Sequence, residues 1–225
     1  MRTARIALMP LAAVLVAVDL VLIFAWVPTE QVMGIVQRIF YFHVPLAISG
    51  FAAFFLVAGA SALFLVKKDP KWDRLAFSAG EVGVVLMTLA IITGALWAKP
   101  VWGVWWVWDA QLTTTFILWV IYVGYLMVRA YAPSDERGRR WAAVVGIVGV
   151  VDIPLIYVAA ELWRTLHPDK VIGPAADEGS LESAMSITLL FSMLTFLVLF
   201  AWLVVERLSL RRTEEALAAL RAGEH

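Results

Sequence analysis

Long apolar runs, separated by short polar connections, dominate this chain. Six of the runs have about the 20 residues that an α-helix needs to cross the hydrocarbon core of a bilayer. The predicted spans are Ile6–Val27, Val44–Val66, Glu81–Ala98, Thr113–Tyr131, Trp141–Ala160 and Ala184–Val205. The first run is longer than the apolar part of a secretory signal peptide, so we interpret it as a retained membrane helix.

The composition agrees with this pattern. Hydrophobic residues make up 62% of the chain and charged residues 16%, whereas a soluble domain has roughly 45–50% and about a quarter. A soluble core of this size cannot bury such an excess, so lipid must cover much of the surface. We therefore predict an all-α integral membrane protein with six transmembrane helices in a single membrane domain, 1–225. The net charge is zero, which argues against nucleic-acid binding.

Lys and Arg are distributed unevenly between the two ends of the predicted spans. Fourteen of them fall on the side of the N-terminus and four on the other side. Because basic residues are enriched in cytoplasmic connections, both termini are predicted to be cytoplasmic. The predicted outer loops are then about 28–43, 99–112 and 161–183, and 206–225 forms a cytoplasmic tail that extends the last helix.

The second outer loop, 99–112, is rich in tryptophan. Four Trp lie within seven residues: Trp102, Trp105, Trp106 and Trp108. An aromatic belt at the lipid headgroups explains one or two Trp at a helix end, but not this density. Indole faces provide stacking area at low conformational cost, so the loop predicts a flat apolar platform for a large planar ligand. Asp109 is predicted to cap the helix that follows.

Two histidines flank this loop in the predicted topology. His43 lies at the outer start of the second span and His167 just after the fifth, and the remaining His is terminal. Either one alone is typical of a structural hydrogen-bonding residue. As a pair beside the Trp loop they indicate a haem site, because neutral imidazole is a common axial ligand of haem iron. The chain has no Cys, so the predicted haem b is bound non-covalently.

These segments together resemble a known family. Trp102-Gly-Val-Trp-Trp-Val-Trp-Asp109 resembles the WWD signature of haem-handling proteins. Tyr41-Phe-His43-Val-Pro45 and Trp163-Arg-Thr-Leu-His167 resemble the two His motifs of the haem exporter protein C family (CcmC) of cytochrome c maturation. The likeness covers nearly the whole chain. It implies that His43 and His167 are axial ligands and that the Trp loop holds haem on the periplasmic face of the bacterial inner membrane.

The resemblance also implies a function and partners. The expected protein is not an enzyme: it presents haem to a periplasmic haem chaperone and assists covalent attachment of haem to that partner. Its expected neighbours are the ATPase and permease subunits of an ABC transporter and a small single-span helper subunit.

The chain departs from the family motif at one position. The family usually continues as Trp-Asp-x-Arg, and this chain has Gln111. Arg38 and Arg164 lie a few residues from the proposed ligands and are candidates for pairing with haem propionates, because Arg binds carboxylates bidentately. Their alternative role is to anchor the helices at the lipid headgroups.

Two carboxylates fall inside predicted spans, at Asp19 and Asp152. Acidic residues within a membrane are often functional, but we expect these two to serve in helix packing or subunit contact. Asp152 precedes Pro154 by two residues, and a proline inside a helix predicts a kink in the fifth span.

Three alternative functions would each require different features of the sequence. A b-type cytochrome would place its His well inside the spans rather than at their outer ends. The larger cytochrome c synthase of the same superfamily would have more spans, more His and an extended outer domain. A haem-transporting permease subunit would need a polar path wide enough for haem, which partner subunits would have to complete.

Overall fold

The computed structural model of the protein describes residues 2–131, 136–163 and 181–223. These residues form a helical bundle. Its helices are α1 Arg2–Val21, α2 Phe40–Lys67, α3 Pro70–Trp102, α4 Ala110–Tyr131, α5 Glu136–Gly149, α6 Asp152–Leu162 and α7 Ser183–Gly223. A short π-helix continues α1, and a 3₁₀-helix, Ile35–Ile39, leads into α2.

Among the described residues, six stretches are long and apolar enough to cross a membrane, which confirms the predicted number of spans. They are Arg5–Trp26, Ile35–Lys67, Pro70–Trp102, Ala110–Tyr131, Glu136–Ala159 and Ser183–Arg221. Arg5 pairs with Glu206 at 2.7 Å, so the start of the first span and the end of the last lie at the same end of the bundle. Which end is cytoplasmic stays a prediction.

The third span differs from its predicted bounds at both ends. Glu81–Ala98 was predicted to be the shortest span, but α3 has 33 residues. Asp69 caps its first turn by accepting from the Lys71 amide at 2.9 Å, with Pro70 at the first helical position, a favoured start. Hydrogen bonds from the Lys71 side chain and backbone hold the pKa of the Asp69 carboxyl below its usual range. Within this added segment of α3, Asp73 pairs with Arg129 of α4 and Arg74 pairs with Glu215 of α7.

α2 and α3 form the central hairpin, against which α4, α5 and α7 pack. α1 packs on α7. At that contact the buried Asp19 accepts a hydrogen bond of 2.7 Å from Ser192, in agreement with the packing role expected for it. α7 continues without a break from the last span into the predicted tail.

The fifth span is broken, as the proline predicted, but earlier in the chain. α5 ends at Gly149 and α6 begins at Asp152. Pro154 has no N–H to donate to the carbonyl of Val150, four residues earlier, so the helix is interrupted there. α5 packs on α2 and α4, whereas α6 packs on α4. After the break, α6 therefore lies apart from the central hairpin. It does so in the half of the bundle that contains His43. Asp152 is buried at the first residue of α6.

Candidate functional site

A cavity of about 470 Å³ lies between α2, α3, the start of α4 and α6, and the loop between α3 and α4 closes one end of it. Its described lining is mainly aliphatic and aromatic. His43 on α2 is one of the few polar side chains in the wall, together with Gln37, Gln111 and Thr115. The cavity thus offers a nitrogen ligand within an apolar pocket.

His43 lies in the first turn of α2 and faces α3. Its Nδ1 is 2.9 Å from the carbonyl oxygen of Ala90 and 3.3 Å from Oγ1 of Thr93. Because a carbonyl oxygen only accepts, Nδ1 carries the hydrogen and donates it. In the neutral ring the lone pair is therefore on Nε2, the nitrogen available to a metal in that tautomer.

The loop that closes the cavity is shorter than the predicted 99–112, because both flanking helices extend into that range. α3 ends at Trp102, and Gly103 follows with φ of 77°, a left-handed conformation that favours glycine. α4 begins at Ala110, where Asp109 accepts from the Leu112 amide at 2.8 Å. The predicted cap is thus present, three residues earlier than the expected helix start. The non-helical Trp loop is 103–109.

The tryptophans of this region separate into two groups. Trp102, Trp105 and Trp106 line the cavity. Trp108 lies outside the lining and is 70% exposed. It packs edge-to-face on Phe116 with ring centroids 5.8 Å apart. The sequence predicted all four as one platform, but the structure brings only three of them to the cavity.

Of the other predicted site residues, two do not reach the cavity. The guanidinium of Arg38 lies 5.8 Å from the ring centre of Phe24, and neither Arg38 nor Asp109 is in the described wall. His167 and Arg164 lie outside the described residues. The structure therefore brings together His43 and the three inward tryptophans.

Sequence reasoning missed residues that the structure places in the wall. Trp97 is 4% exposed and contacts the ring of His43, with centroids 6.0 Å apart. Gln37, also 4% exposed, lies in the 3₁₀-helix. The sequence did contain a signal for the part of the wall that α3 provides. Ala90, Gly94 and Ala98 are small residues that recur every fourth position and mark one helix face for close packing.

Three polar atoms near the cavity have no hydrogen-bond partner among the described residues. They are Nε1 of Trp97, Nε1 of Trp106 and Oε1 of Gln111, all buried. Buried polar atoms are normally paired, so unpaired ones clustered at a cavity indicate a polar group supplied by a ligand or water. The wall thus suits a large apolar molecule that carries polar groups and a metal.

The comparisons with known proteins agree with this chemistry. The family model for heme exporter protein C matches residues 1–222. The chain belongs to the haem exporter protein C family. Its relative of that name in Haemophilus influenzae is 32% identical over 205 residues, which covers 91% of this chain and 83% of the relative.

Two further members lie at similar distance. Heme exporter protein C of Escherichia coli K12 is 35% identical over 186 residues, 82% of this chain and 74% of the relative. A putative cytochrome c biosynthesis ccmC-like mitochondrial protein of Marchantia polymorpha is 32% identical over 173 residues, 76% of this chain and 73% of the relative. This member of the haem exporter protein C family is thus a multi-pass membrane protein whose described residues form a cavity around His43.

Proposed function

We propose that this protein binds haem b non-covalently in the cavity beside the Trp loop and presents it to a periplasmic haem chaperone during c-type cytochrome biogenesis. The observation that carries the proposal is the position of His43 in the wall of an aromatic cavity. Membership of the haem exporter protein C family supports haem as the cargo.

His43 is the proposed axial ligand from the described part of the chain. Its Nδ1 donates to Ala90, so the lone pair of the neutral ring is on Nε2, the nitrogen that would bind iron. His167 is the proposed second ligand, by resemblance to the family's second His motif. His43 lies in the first turn of α2, and His167 follows the predicted fifth span. Such a pair would hold haem near the outer ends of the helices, where a partner can reach it, whereas a b-type cytochrome buries its ligands within the spans.

The remaining wall fits the rest of the haem molecule. Trp102, Trp105 and Trp106 supply aromatic surface for the porphyrin. The unpaired Nε1 of Trp106 and the side chain of Gln111 are neutral groups for the haem carboxylates. The described wall contains no Lys or Arg side chain, so we assign carboxylate recognition to hydrogen bonds rather than to Arg38.

The proposed setting is the bacterial inner membrane, with the haem site on the periplasmic face. The partners we propose are a periplasmic haem chaperone, the ATPase and permease subunits of an ABC transporter, and a small single-span helper. The protein is a haem-handling subunit rather than an enzyme in this proposal, because the covalent bond to haem would be formed by the chaperone's own residue.

Absorption spectroscopy of the purified protein tests the proposal. We expect a low-spin spectrum typical of two His ligands, and complete release of haem into acidified organic solvent. His43→Ala should lose the low-spin spectrum, whereas His225→Ala, a control at the third His of the chain, should keep it. A spectrum that is the same in wild type and His43→Ala would remove His43 from the site.

The location of the site is tested separately with an impermeant thiol reagent. The chain has no Cys, so Val104→Cys in the Trp loop provides a single labelling position, and Val104 is 38% exposed. We expect labelling from the periplasm in intact cells. Labelling from the cytoplasmic side alone would contradict the proposed orientation.

A further inference from the structure

The ring of His43 lies directly across Gly94 of α3. A Cβ atom added at Gly94 would come within 2.9 Å of Cε1, 3.4 Å of Nδ1 and 3.8 Å of Nε2 of His43. Real Cβ contacts essentially never fall below 3.0 Å, so any other residue at this position would displace the imidazole. Gly94 is in the middle of a regular helix, where alanine would be favoured, and the close approach of His43 is a physical reason for glycine.

The same stretch of α3 contacts the imidazole on two other sides. The Ala90 carbonyl, one turn before Gly94, accepts from Nδ1 at 2.9 Å, and Oγ1 of Thr93 lies 3.3 Å from the same nitrogen. The indole of Trp97, one turn after, meets the ring edge-to-face with an interplanar angle of 60°. These contacts together determine the ring plane and which nitrogen carries the hydrogen.

We propose that Ala90, Thr93, Gly94 and Trp97 form a socket on α3 that orients His43 as an iron ligand; this inference rests on the proposed haem function. In the socket they are positioning residues, since they act there through His43; Ala90, Gly94 and Trp97 also line the cavity. A carbonyl that accepts from Nδ1 makes Nε2 a stronger donor to iron and prevents the ring from rotating. The described contacts of the imidazole come from α3, so in this proposal α3 orients a ligand that lies in the first turn of α2.

Gly94→Ala tests the socket, with Gly59→Ala as the matched control. Both are helical glycines, but a Cβ at Gly59 meets nothing within 4 Å. Loss of the hydrogen bond that orients a metal-binding His typically costs about 10–100-fold in metal affinity or activity. We therefore expect Gly94→Ala to release haem to an apo-globin acceptor about 10-fold faster. Its reduction potential should rise and part of its haem should become high-spin. Gly59→Ala should match wild type in all three measurements.

A double variant shows whether the effect passes through His43. Gly94→Ala should add no further haem loss when combined with His43→Ala, because the ring that it displaces is already gone. An additive effect would show that Gly94→Ala only disturbs helix packing, and would overturn the socket.

Thr93 offers a milder second variant in case Gly94→Ala accumulates poorly in membranes. Thr93→Val keeps the side-chain shape and removes the oxygen near Nδ1, so the reduction potential should rise by less than in Gly94→Ala. Thr93→Ser should restore the wild-type value. If neither Thr93→Val nor Gly94→Ala changes the potential while His43→Ala abolishes the low-spin spectrum, the socket is wrong and the haem function stands. If His43→Ala leaves the low-spin spectrum unchanged, His43 is not an iron ligand and the socket fails with that assignment. If the purified wild-type protein carries no haem, the haem function itself fails.

Discussion

The two ends of α3 place their polar groups in different surroundings. At the end near Pro70, its charged side chains reach partners on neighbouring helices: Asp73 binds Arg129 of α4 at 3.0 Å and Glu81 binds Arg207 of α7 at 2.7 Å. At the end near Trp102, α3 borders a cavity, and Trp97, whose buried Nε1 has no partner among the described residues, lies in its wall. Unpaired buried atoms also occur near Pro70, at Trp72, Arg74 and Ser78, but none of these residues lines this cavity.

This difference separates groups that hold the bundle together from groups kept for a ligand. Charged side chains that pair between helices satisfy each other within the chain, so removing one of them should lower the stability of the bundle. Aromatic and polar groups around a cavity gain their partners only when a ligand binds. Their removal should therefore weaken ligand binding and leave the bundle intact. Three sets of substitutions test this difference.

The largest expected effect is the loss of haem when the inward indoles are removed. A fully covered Trp buries roughly 150–250 Å², at about 25 cal/mol per Å². Even half of this at each of Trp102, Trp105 and Trp106 amounts to several kcal/mol, so the triple Ala variant should lose more than about 100-fold in haem affinity. The measurements are haem per purified protein and covalent haem on a co-expressed chaperone.

The control for this variant removes three exposed tryptophans. Trp26, Trp108 and Trp141 lie outside the cavity lining and are 48%, 70% and 68% exposed. Their triple Ala variant should retain haem. Equal haem loss in both variants would show that the Trp loop acts only as an interfacial belt. If the control variant keeps haem but fails to transfer it, at least one of these three tryptophans is assigned to the acceptor's docking surface.

A smaller effect, confined to stability, is expected at the other end of α3. Arg207→Gln breaks a bidentate, partly buried pair with Glu81, and the expected cost is about 1–2 kcal/mol, between exposed and buried pairs. Arg140→Gln, which breaks an exposed pair with Glu136, should cost less than about 0.5 kcal/mol. Thermal unfolding in detergent measures both, and the haem spectrum should be unchanged. A changed spectrum in Arg207→Gln would show that the two ends of α3 are coupled.

The smallest effect is expected at Asp109. Its carboxylate accepts from the Leu112 amide, and Asn caps a helix about as well as Asp. Asp109→Asn should therefore leave stability and haem retention nearly unchanged, whereas Asp109→Ala should lose about 1 kcal/mol of stability. Reduced transfer to the chaperone by Asp109→Asn, at full haem content, would instead reveal a role for its charge in recognising the acceptor.

Local patterns in the sequence were sufficient for the number of spans, the helix cap at Asp109, the break near Pro154 and His43 as a candidate ligand. Each depends on residues close together in the chain: the summed hydropathy of one run, a side chain and the next amides, or a proline and the carbonyl four residues before it. The start of α3 before Glu81 was missed because charged residues are unfavourable in a membrane span. Only the folded structure shows that Asp73 pairs with Arg129 and Arg74 with Glu215.

Only the tertiary structure decided which side chains face the cavity. Trp106 and Trp108 lie two residues apart in an irregular loop, so no helical or strand periodicity predicts that one points inward and the other outward. The contact between Gly94 and His43 joins residues 51 positions apart, and the sequence by itself contains no measure of that distance. Both depend on how α2, α3 and α4 pack, which is a property of the whole bundle rather than of any one segment.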